Sequence, residues 1–134
     1  MYRKQGMEST KNFTVLSASA GSGKTFRLAT DYIKIALSNK QASHYKKILA
    51  VTFTNKAAEE LKERILRFLK ALAFNVNGEG ENLYNDGFKN YELTYSELKP
   101  RAKACLKHIL HNYSRFSVST IDKFGQKIIR SFAR

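Results

Sequence analysis

The chain is poor in several things at once. Of its 134 residues one is cysteine, one is proline, none is tryptophan, and only 11 are acidic. The lone Cys105 excludes an internal disulfide and suits a reducing compartment. It falls on the apolar face of a predicted helix and reads as core rather than nucleophile. His44, His108 and His111 have no cysteine or carboxylate partner at metal-ligand spacing. His108 and His111 can share a helix face, but two imidazoles alone make a weak site. No secretory apolar segment follows Met1-Tyr2-Arg3-Lys4. No apolar run approaches the roughly 20 residues that a membrane crossing needs. A cytoplasmic protein is the expectation.

Positive charge, by contrast, is plentiful. The 24 Lys and Arg give a net charge of +13, which calls for a polyanionic partner. The excess is uneven. Residues 95–134 carry nine Lys or Arg against two acids, Glu97 and Asp122, whereas residues 71–94 carry four acids and only Lys89. A merely solvated surface does not need such segregation, and nucleic acid is the favoured class of partner.

The most informative stretch is Ala18-Ser19-Ala20-Gly21-Ser22-Gly23-Lys24-Thr25. It fits the phosphate-binding loop pattern, with Ala18 in place of the usual first glycine. Small residues let successive N–H groups point at phosphate oxygens. Lys24 would reach the β- and γ-phosphates of a nucleotide, and the Thr25 hydroxyl would hold Mg²⁺. The following helix offers its positive end to the anion. The context agrees. Residues 13–17 form a short apolar, β-branched run, and Leu28/Ala29, Tyr32/Ile33 and Ala36/Leu37 then recur at helical spacing.

Further along, residues 1–12 are polar and read as a flexible tail. Residues 47–52 form a second buried-type strand. Thr54 or Asn55 caps a long helix from Lys56 to about Ala73, with Leu61, Ile65, Phe68/Leu69 and Leu72 on one face. Residues 74–93 are rich in Gly and Asn, lack periodicity, and read as a loop or the start of an insertion. A helix is expected from Thr94 or Ser96 to about Tyr113, with Pro100 in its first turn or at its boundary. Residues 116–119 form a third strand, and Thr120 caps a last helix. That helix has no stop signal before Arg134, so the chain reads as part of a longer protein. Strands separated by helices give an α/β fold with a parallel sheet.

Three blocks carry a family resemblance: Ala18 to Thr25; Ile48-Leu49-Ala50-Val51-Thr52-Phe53-Thr54-Asn55-Lys56-Ala57-Ala58 with its continuation to Ile65; and Phe116-Ser117-Val118-Ser119-Thr120-Ile121-Asp122-Lys123-Phe124 with its continuation to Ala133. In this order they resemble the opening of UvrD/RecB-type superfamily 1 DNA helicases, nearest the RecB- and AddA-like helicase–nuclease branch. The resemblance implies an incomplete first RecA-like domain over residues 1–134, ATP and Mg²⁺ as cofactors, and 3′ to 5′ movement on single-stranded DNA. It also implies roles in repair or recombination and, for this branch, a helicase–nuclease partner subunit. By the same carry-over Phe53, Thr54, Asn55, Thr120 and Phe124 face DNA. For Phe53 and Phe124 core packing is the competing reading.

The chain departs from the family pattern in having no apolar strand that ends in Asp-Glu, and no later arginine-bearing motif. The fragment alone is therefore expected to be inactive as an ATPase. The rival class is a non-catalytic basic nucleic-acid-binding module whose glycine loop holds a structural anion. A small P-loop kinase is a third reading, disfavoured by the second and third blocks.

Overall fold

The computed structural model describes residues 2–5, 14–18, 22–123 and 125. Among the described residues four strands form one sheet in the order β1 (Tyr2–Gln5), β2 (Thr14–Ala18), β3 (Ile48–Thr52), β4 (Val118–Thr120). β1 runs antiparallel to β2, while β2, β3 and β4 are parallel. Ser17 pairs with Val51 and Val51 with Ser119, so the three parallel strands end in register at one edge. The α/β class and the open parallel sheet expected from the sequence are present.

Both crossovers step in the same direction across the sheet. The right-handed rule then places their helices on one face, and α1 (Ser22–Ala36) does pack against α2 (Asn55–Phe74). Leu16, Ile48 and Ala50 point into this helical layer and are fully buried. Val15 and Leu49, one step out of phase, are only half-buried. α2 also packs against α3 (Glu79–Gly87) and α4 (Tyr95–His111). Its buried stripe of Ala58, Leu61, Ile65, Leu69 and Leu72 follows the helical period.

Helix ends follow local chemistry. The Thr54 hydroxyl accepts the Ala57 N–H at 3.0 Å and starts α2. Thr94 and Glu97 form a reciprocal capping box that starts α4. Pro100 lies one turn deeper than expected, inside α4. Its ring costs the helix the hydrogen bond to the Ser96 carbonyl, and Ser96 is exposed to water.

Two stretches differ from expectation. Residues 2–5 form a strand where a flexible tail was expected, because backbone pairing to β2 needs no apolar side chains. Residues 79–87 form α3 where a loop was expected. Here packing overrides composition. Leu83 and Phe88 are buried, Tyr84 stacks on Phe88 at 5.8 Å, and the Tyr95 hydroxyl donates to the Leu72 carbonyl at 2.6 Å. The chain turns into α3 through left-handed Asn75 (φ 51°), Asn77 (φ 55°) and Gly78 (φ 77°), residue types that tolerate this region. At Gly80 a Cβ would collide with the Tyr95 hydroxyl and the Ala71 carbonyl, so α3 crosses α2 only with glycine there. Cys105 is buried in α4, as expected, and burial pushes its thiol up to about 12.

Candidate nucleotide and nucleic-acid edge

The carboxyl ends of β2, β3 and β4 each run directly into a helix or towards one. β2 ends at Ala18 and α1 begins at Ser22; β3 ends at Thr52 and α2 begins at Asn55; β4 ends at Thr120 and a helix begins at residue 121. In open α/β sheets this edge is where ligands bind. No acidic residue occupies the first turn of α1 or α2. Their N–H groups and macrodipoles therefore present uncompensated positive potential at the edge.

Lys24 and Thr25 sit in the first turn of α1 and are half-buried. The structure places Ala18, Ser22 and Gly23 by their backbone, at the end of β2 and the start of α1. Ser19, Ala20 and Gly21 lie outside the described residues, as does Phe124. The arrangement of strand, short connection and helix is the one a phosphate loop requires.

At the second junction Phe53 is 59% exposed. In this chain the ring is therefore not packed into the core. Its position is set from beneath. The buried Thr52 hydroxyl donates to the Thr54 carbonyl at 3.1 Å and lies 3.4 Å from the Ser119 carbonyl. This tie holds the turn that lifts Phe53 off the sheet, and joins it to β4. Sequence reasoning missed Thr52. The available signal was a lone hydroxyl closing an otherwise apolar run at a strand end. Thr54 and Asn55 are exposed beside Phe53, with Thr54 also serving as the cap.

Thr120 differs from the other singled-out residues. It is 6% exposed, and its hydroxyl accepts the Lys123 N–H at 3.2 Å. Its hydroxyl is engaged in starting the next helix, and Asp122 and Lys123 beside it are exposed. Among the described residues no group of three or more His, Cys, Asp or Glu could hold a metal ion. Thr25, the expected Mg²⁺ ligand, lies at this edge; a single hydroxyl would suit a Mg²⁺ that arrives on phosphate oxygens with most of its water, and not a self-standing metal site. No helix among the described residues is long and apolar enough to cross a membrane.

The family model for the UvrD/REP helicase N-terminal domain matches residues 2–134. The ATP-dependent DNA helicase PcrA of Staphylococcus aureus is 42% identical over 67 residues, which is 50% of this chain and 9% of that protein. An ATP-dependent helicase/nuclease subunit of Lactococcus lactis subsp. cremoris is 30% identical over 129 residues, 96% of this chain and 9% of the relative. The protein of the same name from Clostridium beijerinckii is 33% identical over 124 residues, 88% of this chain and again 9% of the relative. The chain thus spans about a tenth of the length of the curated relatives it matches. No solved structure matches it.

Proposed function

From the premise that this chain belongs to the UvrD/REP helicase N-terminal domain family, we propose that it forms part of the first RecA-like motor domain of a cytoplasmic, ATP-driven DNA helicase acting in repair or recombination. Residues 18–25 take the nucleotide phosphates. Lys24 neutralises the β- and γ-phosphates, the start of α1 donates N–H groups, and Thr25 contributes a hydroxyl to phosphate-borne Mg²⁺. Bound ATP supplies the phosphoryl chemistry. Phe53, Thr54, Asn55, Thr120 and Phe124 form part of the single-stranded DNA track, with Thr120 acting through the helix it caps. The two helicase/nuclease relatives, each named as one subunit, support a partner for the whole protein.

The observation that carries this reading is Phe53. An unburied aromatic ring at the carboxyl end of a parallel strand, beside a helix start with no acid, is suited to stack a base beside a bound phosphate. Base–aromatic stacking contributes about 1–3 kcal/mol and tolerates any sequence.

Fluorescence anisotropy with oligo-dT over a salt series tests the track. Phe53→Ala is expected to weaken binding by about 1–3 kcal/mol without changing the salt slope, because stacking is non-ionic. Equal binding by both proteins at every salt concentration would leave only a generic basic surface. Titration calorimetry with Mg-ATP tests the loop, and Lys24→Ala is expected to abolish the heat. No turnover is expected from this chain alone, since an arginine at the transferred phosphate is itself worth about 10³–10⁵ in rate.

A further inference from the structure

A second surface lies away from the sheet edge. The outer halves of α2 and α4 enclose an open groove of about 670 Å³. Its floor is aliphatic, formed by Leu66, Leu106 and Leu110, with Phe74 at one end. Leu110 is 59% exposed and Phe74 47% exposed, although each belongs to a helix that buries its other face well. The rim is cationic: Arg67 and Lys70 on α2 face Lys103 and Lys107 on α4. Among the described residues no acid lines the groove itself; Glu79 stands with Arg67 and Lys70 at an adjoining pocket. The carboxylates of α2 (Glu59, Glu60 and Glu63) all precede Leu66, toward the sheet edge. Among the described residues no salt bridge engages any of the four rim cations. Lys103 instead lies 5.5 Å over the Phe74 ring.

We propose that this groove docks an acidic amphipathic helix of a protein partner. Leu66 to Phe74 spans nine residues of α2, about 12 Å from first to last, which is a little over two helical turns. A helix laid into such a groove offers apolar anchors at i, i+3 or i+4, and i+7, with its flanks meeting both rims. Four cations and no acid select carboxylates on those flanks. The aliphatic floor gives a helix something to bury, and of the two rings that line the groove Phe74 already lies under Lys103, which leaves nucleobases only His111 to stack on, so the floor favours protein over nucleic acid. The groove is also set apart from the proposed DNA track: Leu66 stands about 18 Å along α2 from its cap at Thr54.

The probe is a fluorescein-labelled, hydrocarbon-stapled peptide of about 14 residues, with leucines on one face and glutamates on the flanks. Three comparators accompany it: the same residues shuffled so that the leucines share no face, a lysine-for-glutamate version, and oligo-dT. The acidic helix is expected to bind the 134-residue chain with Kd on the order of 10 µM at about 0.15 M salt. Both peptide comparators are expected to bind at least tenfold more weakly. Leu110→Asp, at an exposed position and with its fold checked by the amide NMR spectrum, should weaken binding of the acidic helix tenfold or more. Lys70→Glu with Lys107→Glu should weaken it similarly and flatten its salt dependence. Amide shifts in the NMR spectrum should concentrate at Leu66, Leu106 and Leu110.

Failure of the acidic helix to bind overturns the proposal. So does equal binding by the shuffled peptide, which would mean bulk charge attraction alone, or wild-type binding by Leu110→Asp. Stronger shifts at the groove with oligo-dT would make it a nucleic-acid surface. A dimer dissolved by Leu110→Asp would make it a contact between copies of this chain.

Discussion

Phe53 follows β3 and is 59% exposed; Phe116 precedes β4 and is 3% exposed. The two rings belong to adjacent parallel strands but to opposite ends of the sheet. Where β3 and β4 begin, aromatic side chains close on one another. Phe116 meets Tyr32 at 5.8 Å, Tyr113 at 5.9 Å and Tyr45 at 6.5 Å. The Tyr45 hydroxyl is 2.9 Å from His108 Nδ1, tying the segment before β3 to α4. Where the same strands end, helices begin, polar turns replace rings, and Phe53 touches water. Stability is gathered at one end, and the other is left free to meet a ligand. An aromatic residue beside a strand therefore carries no meaning until its end of the strand is known.

That contrast can be broken by mutation. The largest effect is expected at the closed end: Phe116→Ala should cost about 3–5 kcal/mol of stability in urea unfolding, as large-to-small changes in a packed core do. Its affinity for oligo-dT, measured where the variant is still folded, should stay within a factor of about two. A parallel loss of DNA affinity would mean that the two ends are not independent.

The next effect is alkaline. The Cys105 thiol, ordinarily near 9.0, is pushed up to about 12 by burial. Folding therefore favours the protonated thiol. The contribution is complete below pH 9 and is lost as pH rises from there toward 12, at about 1.4 kcal/mol per unit. Urea unfolding at about pH 8 and about pH 10 should show this drop, and Cys105→Ala should show less of it. An identical pH dependence in the variant would assign the drop to other groups.

At the open end the effects on stability shrink. Thr54→Ala should cost about 1 kcal/mol through loss of the α2 cap, with Thr54→Ser restoring most of it in the same unfolding assay. Phe53→Ala should change stability by no more than about 0.5 kcal/mol, as surface changes do. A larger loss would mean that the ring is packed after all, and that the contrast with Phe116 fails.

The parts of the fold written in local chemistry were legible in the sequence. The 18–25 stretch joins the end of a strand to the start of a helix, and Thr54 and Thr94 cap their helices. The apolar stripe of α2 is read straight from its spacing. What escaped depended on distant partners. The helix at 79–87 exists because Leu83 and Gly80 fit against α2, which no window of its own Gly- and Asn-rich sequence contains. Strand pairing at residues 2–5 uses backbone groups, so Tyr-Arg-Lys-Gln gave no sign of it. The exposure of Phe53 kept a core-packing alternative for the same reason, since the burial of an apolar ring at a strand end depends on what packs beside it. The groove between α2 and α4 was invisible because Lys103, Lys107, Arg67 and Lys70 converge only once the two helices are packed.

The register of the parallel strands has a consequence in time. Ser17 finds Val51 34 residues downstream, and Val51 finds Ser119 a further 68 residues on. Doubling a loop adds only about 0.6 kcal/mol to closure, so the longer step is thermodynamically mild. On a ribosome adding about 5–20 residues per second, however, β3 waits about 3–14 s for β4 to be made. Throughout that interval its backbone is an open edge, the kind of surface that recruits stray strands. The α2–α3–α4 helices that intervene close locally and should form first. Pulse-labelled hydrogen exchange during refolding is expected to protect amides of α2 before that of Ala50, whose N–H bonds the Ser117 carbonyl only when β4 docks. The long crossover is therefore a timer, holding the sheet unfinished until the helical layer that shelters it is in place.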